Sequence, residues 1–213
     1  MRVYHILSAH WGITAIRNKR LKIARFADLN DPFELLGANL RNKNERLAFR
    51  RWKSQISEIY GLLCFSMKWH SPVLWSHYGD KHEGICLGFD VPDQKILPVN
   101  YQTDRISVSV SDLTEASLLE ILSTKYLDWS YENEIRVITD LTDRDPVDQL
   151  YYADFGNELV LREVVVGSLC KLSRKEIESE IVNAGLDLEM TELTKARLAF
   201  KSFAIVPDKR GLK

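Results

Sequence analysis

The chain has 213 residues, of which 45% are hydrophobic and 28% are charged, and its formal net charge is −1. These values are typical of globular proteins, and they exclude a disordered chain, a fibrous repeat and a strong overall field that would attract nucleic acid or an anionic membrane. The length suits one domain with a substantial core, so we expect residues 1–213 to form a single domain.

The cysteines and the apolar stretches indicate the cellular compartment. Cys64, Cys86 and Cys170 are widely spaced and form no CxxC pair, so we expect buried, reduced thiols. No stretch approaches the ~18 apolar residues that a membrane-spanning helix needs, and the N-terminus lacks a signal-peptide cleavage site. The sequence therefore predicts a soluble, cytoplasmic protein without membrane contact.

Short strands and helices alternate in the first half of the chain. Ser8 is a candidate N-cap for the first helix, and Pro32 suits the first position of a short helix within NDPFE. Pro98 is expected to interrupt its strand because it cannot donate to a ladder. The pattern predicts strands at 2–7, 21–24, 61–67, 84–91 and 95–101, and helices at 9–18, 44–59 and 72–78.

Strands dominate the second half. Ser173 and Glu176 have the spacing of a capping box at the start of one helix. Because strands outnumber helices, we expect an α+β domain with mixed, mostly antiparallel sheets. The pattern predicts helices at 113–126 and 173–183, and strands at 133–139, 150–155, 160–166, 186–193 and 196–206.

The stretch WSYENEIR (129–136) carries the most informative charges. On the predicted strand, Glu132, Glu134 and Arg136 share one face. One interpretation is an exposed ladder in which Arg136 offsets the repulsion between the glutamates. The other is that one carboxylate faces a cleft where positive charge develops, with the second adjusting its protonation and Arg136 holding it in place.

Other polar and aromatic residues have ordinary structural explanations. His5, on the first strand, fits a core histidine bonded to backbone groups, and Asp31 fits a helix cap. Trp75 and Tyr78, one helical turn apart, fit core aromatics. The usual phosphate-binding, zinc-protease and serine-hydrolase motifs are absent from the sequence.

Four successive stretches resemble the signature of a bacterial family of uncharacterised proteins, a domain of unknown function. They are NDPFE (30–34), CFS (64–66), WSHYGDKHEGICLGFD (75–90) and WSYENEIR (129–136). The resemblance spans about residues 4–138, and we expect 139–213 to complete the same domain. More distantly, the family is similar to the ADP-ribosyltransferase fold.

The resemblance to the poly-ADP-ribosyltransferase branch implies roles for individual residues. An early histidine followed by a hydroxyl residue corresponds to His5 and Ser8, although the glycine that usually follows the histidine is missing. The tyrosine that ends a helix after a buried strand corresponds to Tyr78. The catalytic glutamate corresponds to Glu134, and Glu132 adds a Glu-x-Glu pair like that of arginine-directed members.

These correspondences imply that NAD is the substrate and that its nicotinamide–ribose bond is broken. The oxocarbenium-like ribose of that reaction is stabilised by an ionised carboxylate, a role that falls to Glu134. The implied ribose contacts are His5 at the adenosine ribose, with His77 as the alternative polar contact, and Ser66 at the nicotinamide ribose. Tyr78 is implied to stack on the nicotinamide, with Trp75 or Trp129 as a wall of the pocket. Arg136 is implied to hold the catalytic carboxylate.

Three questions stay open at the level of sequence. The acceptor of ADP-ribose is a protein, a nucleic acid or water, and a role as a toxin or phage-defence effector is compatible with each.

A metal-dependent nuclease is the first alternative, with a divalent cation on Asp31, Glu34, Glu132 and Glu134 and the arginine-rich stretch 46–53 at phosphate. A non-enzymatic interaction module, with Trp75 and Trp129 as anchors, is the second. The NAD interpretation involves no metal.

Overall fold

The computed structural model of the protein describes residues 1–31, 33, 38, 40, 42–106 and 114–212. The fold is mixed α+β, as the sequence predicts, and is built on one large, mostly antiparallel sheet in which β10 and β11 run parallel. The strands of this sheet, in spatial order, are β12 (Ile205–Pro207), β11 (Glu192–Leu198), β10 (Val160–Val166), β4 (Ile85–Asp90), β1 (Arg2–Leu7), β3 (Tyr60–Ser66), β8 (Glu134–Asp140) and β5 (Leu97–Pro98).

The remaining strands form two small pairs, and five α-helices pack around the sheets in the part of the chain that the structure describes. The pairs are β2 (Arg20–Lys22) with β9 (Tyr152–Asp154), and β6 (Asn100–Gln102) with β7 (Thr124–Tyr126). The helices are α1 (Ala9–Asn18), α2 (Lys43–Ile59), α3 (Pro72–His77), α4 (Glu115–Ser123) and α5 (Arg174–Asn183), and a 3₁₀ helix covers Leu127–Glu132.

Local sequence explains where these helices begin. The Ser8 hydroxyl accepts from the backbone N–H of Trp11 at the start of α1. Ser173 and Glu176 form the predicted capping box of α5, in which each side chain bonds the other's backbone N–H. Both helices pack on the same face of the sheet, through an apolar cluster that includes Ile16 and Ile181.

The large sheet is nearly divided between β1 and β3. Six register pairs join β1 to β4, whereas among the described residues β1 and β3 share the single pair Tyr4 and Ser66. β3 is in turn fully paired with β8, from Tyr60 to Ser66. The sheet therefore consists of two well-bonded halves that part at a seam between β1 and β3.

The face of the sheet opposite α1 and α5 carries two separate apolar clusters, one on each side of the seam. Trp75 of α3 packs over one half with Ile6 and Val165. Leu122 of α4 packs over the other half with Leu62. Because neither cluster covers the seam itself, a cleft opens between them.

Several predicted elements differ from the observed ones. The predicted helix 113–126 ends at Ser123, and the chain continues as β7. The predicted strand 186–193 is irregular up to residue 191, with β11 beginning at Glu192, and the predicted strand 196–206 is a hairpin of β11 and β12. Strand 95–101 divides around Pro98 into β5 and β6, as the proline suggests. Pro32, and with it the predicted start of a short helix, lies outside the described residues.

No helix within the described ranges combines the length and the apolar character needed to cross a bilayer. Cys64, Cys86 and Cys170 carry thiols rather than disulfides, and the predicted burial is confirmed for Cys86 and Cys170, whereas Cys64 is partly buried.

Candidate functional site

The cleft at the seam has a volume of about 280 Å³, near the lower end of the range for small-molecule sites. Its lining comes from both halves of the sheet, from the segment 24–30, and from α3, β7 and the 3₁₀ helix. The polar lining residues are Tyr4, His5, Asp28, Asn30, Ser66, Tyr78, Lys125, Glu132 and Glu134.

Glu132 and Glu134 meet in the cleft, but not by sharing a strand face. Glu132 ends the 3₁₀ helix and Glu134 begins β8, with Asn133 between them at φ 45°. This left-handed residue, a conformation that asparagine tolerates, turns the chain sharply. The predicted strand face is therefore wrong for Glu132, and the turn at Asn133 is what brings the carboxylates together.

The interpretation of these residues as an exposed ladder is also wrong. Glu132 and Glu134 are 5% and 6% exposed, and Arg136 is fully buried. The Nε of Arg136 donates to Glu134 Oε1 at 2.9 Å, and a second guanidinium nitrogen donates to Oε2 at 3.2 Å. Arg136 thus holds Glu134 through both oxygens, as the cleft interpretation expected, and also donates to the Leu122 carbonyl at 2.6 Å.

Lys125, which sequence reasoning did not identify, joins the two glutamates. Its Nζ donates to Glu132 Oε2 at 2.5 Å and to Glu134 Oε2 at 2.8 Å. The Trp129 ring lies 4.9 Å from the ammonium and is half-buried at the edge of the cluster. The sequence does contain a clue, because Lys125 is the nearest cation before two glutamates whose negative charges need a positive partner. Helical periodicity, however, assigned Lys125 to the predicted helix 113–126.

These charges fix the ionisation of Glu134. Burial alone would raise the pKa of its carboxyl, but the charges and hydrogen bonds of Arg136 and Lys125 outweigh burial and lower that pKa below its ordinary value. Burial likewise works to lower the pKa of Lys125, and the charges of Glu134 and Glu132 raise it instead. Glu134 is therefore an anion and Lys125 a cation at neutral pH.

Tyr78 closes the cluster on the side of α3. Its hydroxyl donates to Glu132 Oε1 at 2.5 Å, and the side-chain amide of Asn30 donates to the same hydroxyl at 3.3 Å. Burial, reinforced by Glu132, raises the pKa of Tyr78 well above its ordinary value, so the phenol stays protonated. A neutral hydroxyl thus bonds the Glu132 oxygen opposite Lys125.

His5 lies in the wall of the cleft on the β1 side of the seam. Its Nδ1 donates to the Cys64 carbonyl at 2.8 Å, across the gap where β1 and β3 are unpaired. Burial lowers the pKa of the imidazole, so the ring is neutral and its Nε2 is an acceptor. The position fits both earlier interpretations, since the histidine bonds the backbone and also lines the cleft.

Ser66 lines the cleft, but its hydroxyl has a structural task. The hydroxyl donates to the backbone carbonyl of Glu132 at 2.6 Å, and the Lys68 carbonyl oxygen lies 2.8 Å from the same Oγ. This hydroxyl therefore anchors the end of the 3₁₀ helix to β3. The expected contact between Ser66 and the nicotinamide ribose stays a prediction, and the structure adds a role in holding the backbone of Glu132.

Trp75 and His77 do not lie in the cleft. The Trp75 side chain is fully buried in the core, and its Nε1 donates to the Trp69 carbonyl at 2.6 Å. It is neither a wall for a ligand nor an anchor for a partner, because no part of it reaches the surface. His77 is exposed, and its Nδ1 shares a 2.9 Å hydrogen bond with the Tyr131 hydroxyl.

Of the carboxylates expected to bind a metal, the structure describes Asp31, Glu132 and Glu134, and these three form no metal-binding group. Within the described residues, no group of three or more His, Cys, Asp or Glu side chains has metal-binding geometry. Asp31 instead accepts from the Phe33 backbone N–H at 2.8 Å, and Glu34 lies outside the described residues. The Lys125 ammonium bridges Glu132 and Glu134, in the place where a divalent cation would bridge them.

Replacing Glu134 by glutamine tests the ionisation argument. Because the folded-state pKa of Glu134 is lowered, its contribution to stability is present above the ordinary carboxyl pKa and is lost as pH falls through the folded-state pKa. Urea unfolding should show Glu134→Gln destabilised by about 3 kcal/mol at pH 7. That difference should shrink steadily below about pH 4.5.

Glu163→Gln is the matched control, since Glu163 is a buried glutamate on β10 whose pKa burial raises. Relative to this variant, the wild type should gain stability as pH falls, which is the opposite trend. A Glu134→Gln difference that stays constant down to pH 3 would contradict the ionised state of Glu134.

Comparison with protein-family models matches residues 74–137 to a family described as "Protein of unknown function (DUF2971)". The matched segment includes Tyr78, Lys125, Glu132, Glu134 and Arg136, whereas His5 and Ser66 lie before it. Neither the curated proteins nor the solved structures gave a match. The expected similarity to a domain of unknown function is thus confirmed for the segment that contains Lys125, Glu132, Glu134 and Arg136.

Proposed function

We propose that the protein cleaves the nicotinamide–ribose bond of NAD, as an ADP-ribosyltransferase or NAD glycohydrolase with an ADP-ribosyltransferase-like fold. The observation that carries this proposal is the meeting of an imidazole, a phenol and two carboxylates in one cleft. These groups come from β1, α3, the 3₁₀ helix and β8, which are far apart in the sequence. The proposal keeps the roles that the resemblance implies for His5, Tyr78 and Glu134, and it drops those implied for Trp75 and His77.

Glu134 supplies the electrostatic part of the reaction. When the C–N bond to nicotinamide breaks, its electron pair leaves with the neutral nicotinamide and positive charge develops on the ribose. An anion fixed beside that charge lowers the barrier without reorganising, and Arg136 fixes Glu134 through both oxygens. An acceptor nucleophile then bonds the anomeric carbon and releases a proton. Glu132 provides the second carboxylate for a ribose hydroxyl or for the acceptor.

Tyr78 and His5 suit the binding of the substrate. The Tyr78 ring lines the cleft and offers an aromatic face to the nicotinamide. The neutral imidazole of His5 can accept from a ribose hydroxyl through Nε2. A cleft of about 280 Å³ suits the nicotinamide–ribose end, with the rest of the dinucleotide extending across the opening. The acceptor is a protein, a nucleic acid or water.

The geometry supports the alternatives less well. A metal-dependent nuclease needs a cation between the carboxylates, and the Lys125 ammonium already lies there. An interaction module anchored on Trp75 and Trp129 keeps only Trp129, which is half-buried, because the Trp75 side chain is 0% exposed. Neither alternative accounts for a buried, compensated carboxylate pair at the wall of a cleft.

Nicotinamide release from NAD is the direct test of this function. The wild type should release nicotinamide, and Glu134→Gln should reduce the rate by about 100-fold or more, because the anion that stabilises the ribose cation is lost. Glu163→Gln, a buried glutamate outside the cleft, should retain the wild-type rate. Absence of release by the wild type with water, protein and nucleic-acid acceptors would refute the proposal, and a chelator should have no effect.

Tyr78 can be tested separately for its ring and its hydroxyl. Tyr78→Phe keeps the ring and removes the hydrogen bond to Glu132, so kcat/KM for NAD should remain within about tenfold of the wild type. Tyr78→Ala removes the ring as well. Its kcat/KM should be about tenfold lower than that of Tyr78→Phe, as expected for a lost aromatic stack. Steady-state kinetics of nicotinamide release distinguish the two. An equal loss of kcat/KM in both variants would show that NAD cleavage depends on the Tyr78 hydroxyl and not on stacking of the ring.

A further inference from the structure

Lys125 has a position that the proposed reaction does not by itself explain. We infer that Lys125 is a positioning residue: its ammonium, clamped between Glu132 and Glu134, lets two carboxylates face one cleft as anions. Its effect on the charge state of the pair needs no assumption about the reaction. Its effect on turnover rests on the proposed cleavage of NAD.

The short strand pair of β6 and β7 places Lys125 beside the two carboxylates. β7 is three residues long and pairs in parallel with β6, where Lys125 lies opposite Tyr101. The Tyr101 hydroxyl accepts from the backbone N–H of Glu134 at 2.8 Å, so this strand pair bonds the first residue of β8. The Lys125 side chain is 8% exposed, which is unusual for an ammonium unless it is paired.

The two carboxylates are so close that their joint ionisation depends on the Lys125 ammonium. Oε2 of Glu132 and Oε2 of Glu134 bond the same Nζ, so the two oxygens lie within about twice a hydrogen-bond length of each other. Two carboxylates at such a separation cannot both stay ionised unless a cation offsets their repulsion. Lys125 is bonded to both of them.

The other groups that bond the pair are phenols and one guanidinium, and the same cleft is lined by the neutral imidazole of His5 and the carboxyl side chain of Asp28. Tyr78 reaches Glu132 from α3, Tyr101 reaches the Glu134 backbone from β6, and Arg136 bonds Glu134 from within β8. Tyr131, in the 3₁₀ helix, is bonded to the imidazole of His77. The phenols are neutral near pH 7, which makes Lys125 and Arg136 the cations that these contacts bring to the carboxylates.

Loss of the ammonium therefore has a defined consequence. With the two glutamates facing Arg136 and three phenols, the pair carries an uncompensated negative charge in a buried site, and a proton binds to relieve it. An enzyme that needs Glu134 as an anion would then lose activity on the acid side and recover it at higher pH. The acid limb would be a new feature of the pH profile of kcat.

The first test requires no substrate. Proteins labelled with ¹³C at the glutamate carboxyls are titrated by NMR as wild type, Lys125→Met, Lys125→Arg and Lys95→Met, where Lys95 is an exposed lysine paired with Glu158. In Lys125→Met, the carboxyl pKa of Glu134 should rise by at least about one pH unit. Lys125→Arg and Lys95→Met should match the wild type. An unchanged titration of Glu134 in Lys125→Met would overturn the inference.

Stability measurements keep the inference testable if Lys125→Met folds poorly. The double variant Lys125→Met/Glu132→Gln removes a cation together with one anion, so it should withstand more urea than Lys125→Met alone. The inference fails if the two substitutions destabilise additively, because independent effects would mean that the two side chains are not coupled.

Chemical rescue tests the role in turnover. Lys125→Ala should reduce the rate of nicotinamide release by about 100-fold. Added ethylammonium or propylammonium should raise the rate of this variant at least about tenfold, whereas neutral propanol should not. Rescue by propanol would indicate a space-filling role and overturn the inference. If the wild type releases no nicotinamide but the NMR titration shifts as expected, the proposed function fails and the inference about Lys125 stands.

Discussion

The site depends on a buried cluster of four charged side chains, Glu132, Glu134, Lys125 and Arg136, whose formal charges cancel. Each carboxylate would be unfavourable alone at this depth, and each cation likewise, so the cluster exists only because all four are bonded together. Such a cluster contributes modest net stability but strongly favours one arrangement of its members. Its value is geometric, since it fixes two anionic groups at the wall of a cleft before any ligand binds.

The cleft beside this cluster results from incomplete pairing within the sheet. Beyond the pair Tyr4 and Ser66, the described residues of β1 and β3 are not paired with each other, and there the His5 ring donates to the Cys64 carbonyl in place of a strand. Ser66, at the one point where the two strands still pair, supports the backbone of Glu132. The residues that keep the seam intact are thus next to the residues proposed to act on the substrate.

Periodicity and capping predicted most of the framework, including β10, α1 and α5, because burial and hydrogen bonding act on neighbouring residues there. The paired carboxylates and their arginine could also be identified from sequence, since charged residues beside an apolar run need an explanation. Lys125 could not, because a helix-like apolar pattern hid the short strand β7, whose position depends on a long-range pairing with β6. The αL turn at Asn133 and the burial of Trp75 depend in the same way on tertiary contacts.

The central claim is that the seam between β1 and β3 is the place where NAD binds. Titration of the ¹⁵N-labelled full chain with NAD, followed by amide chemical shifts, measures this most directly. The account predicts shifts concentrated on both sides of the seam, at the amides of His5, Ser66 and Glu134, saturating with a single dissociation constant. Absent shifts, or shifts confined to a distant surface such as the hollow around Cys170 and Lys195, would contradict it.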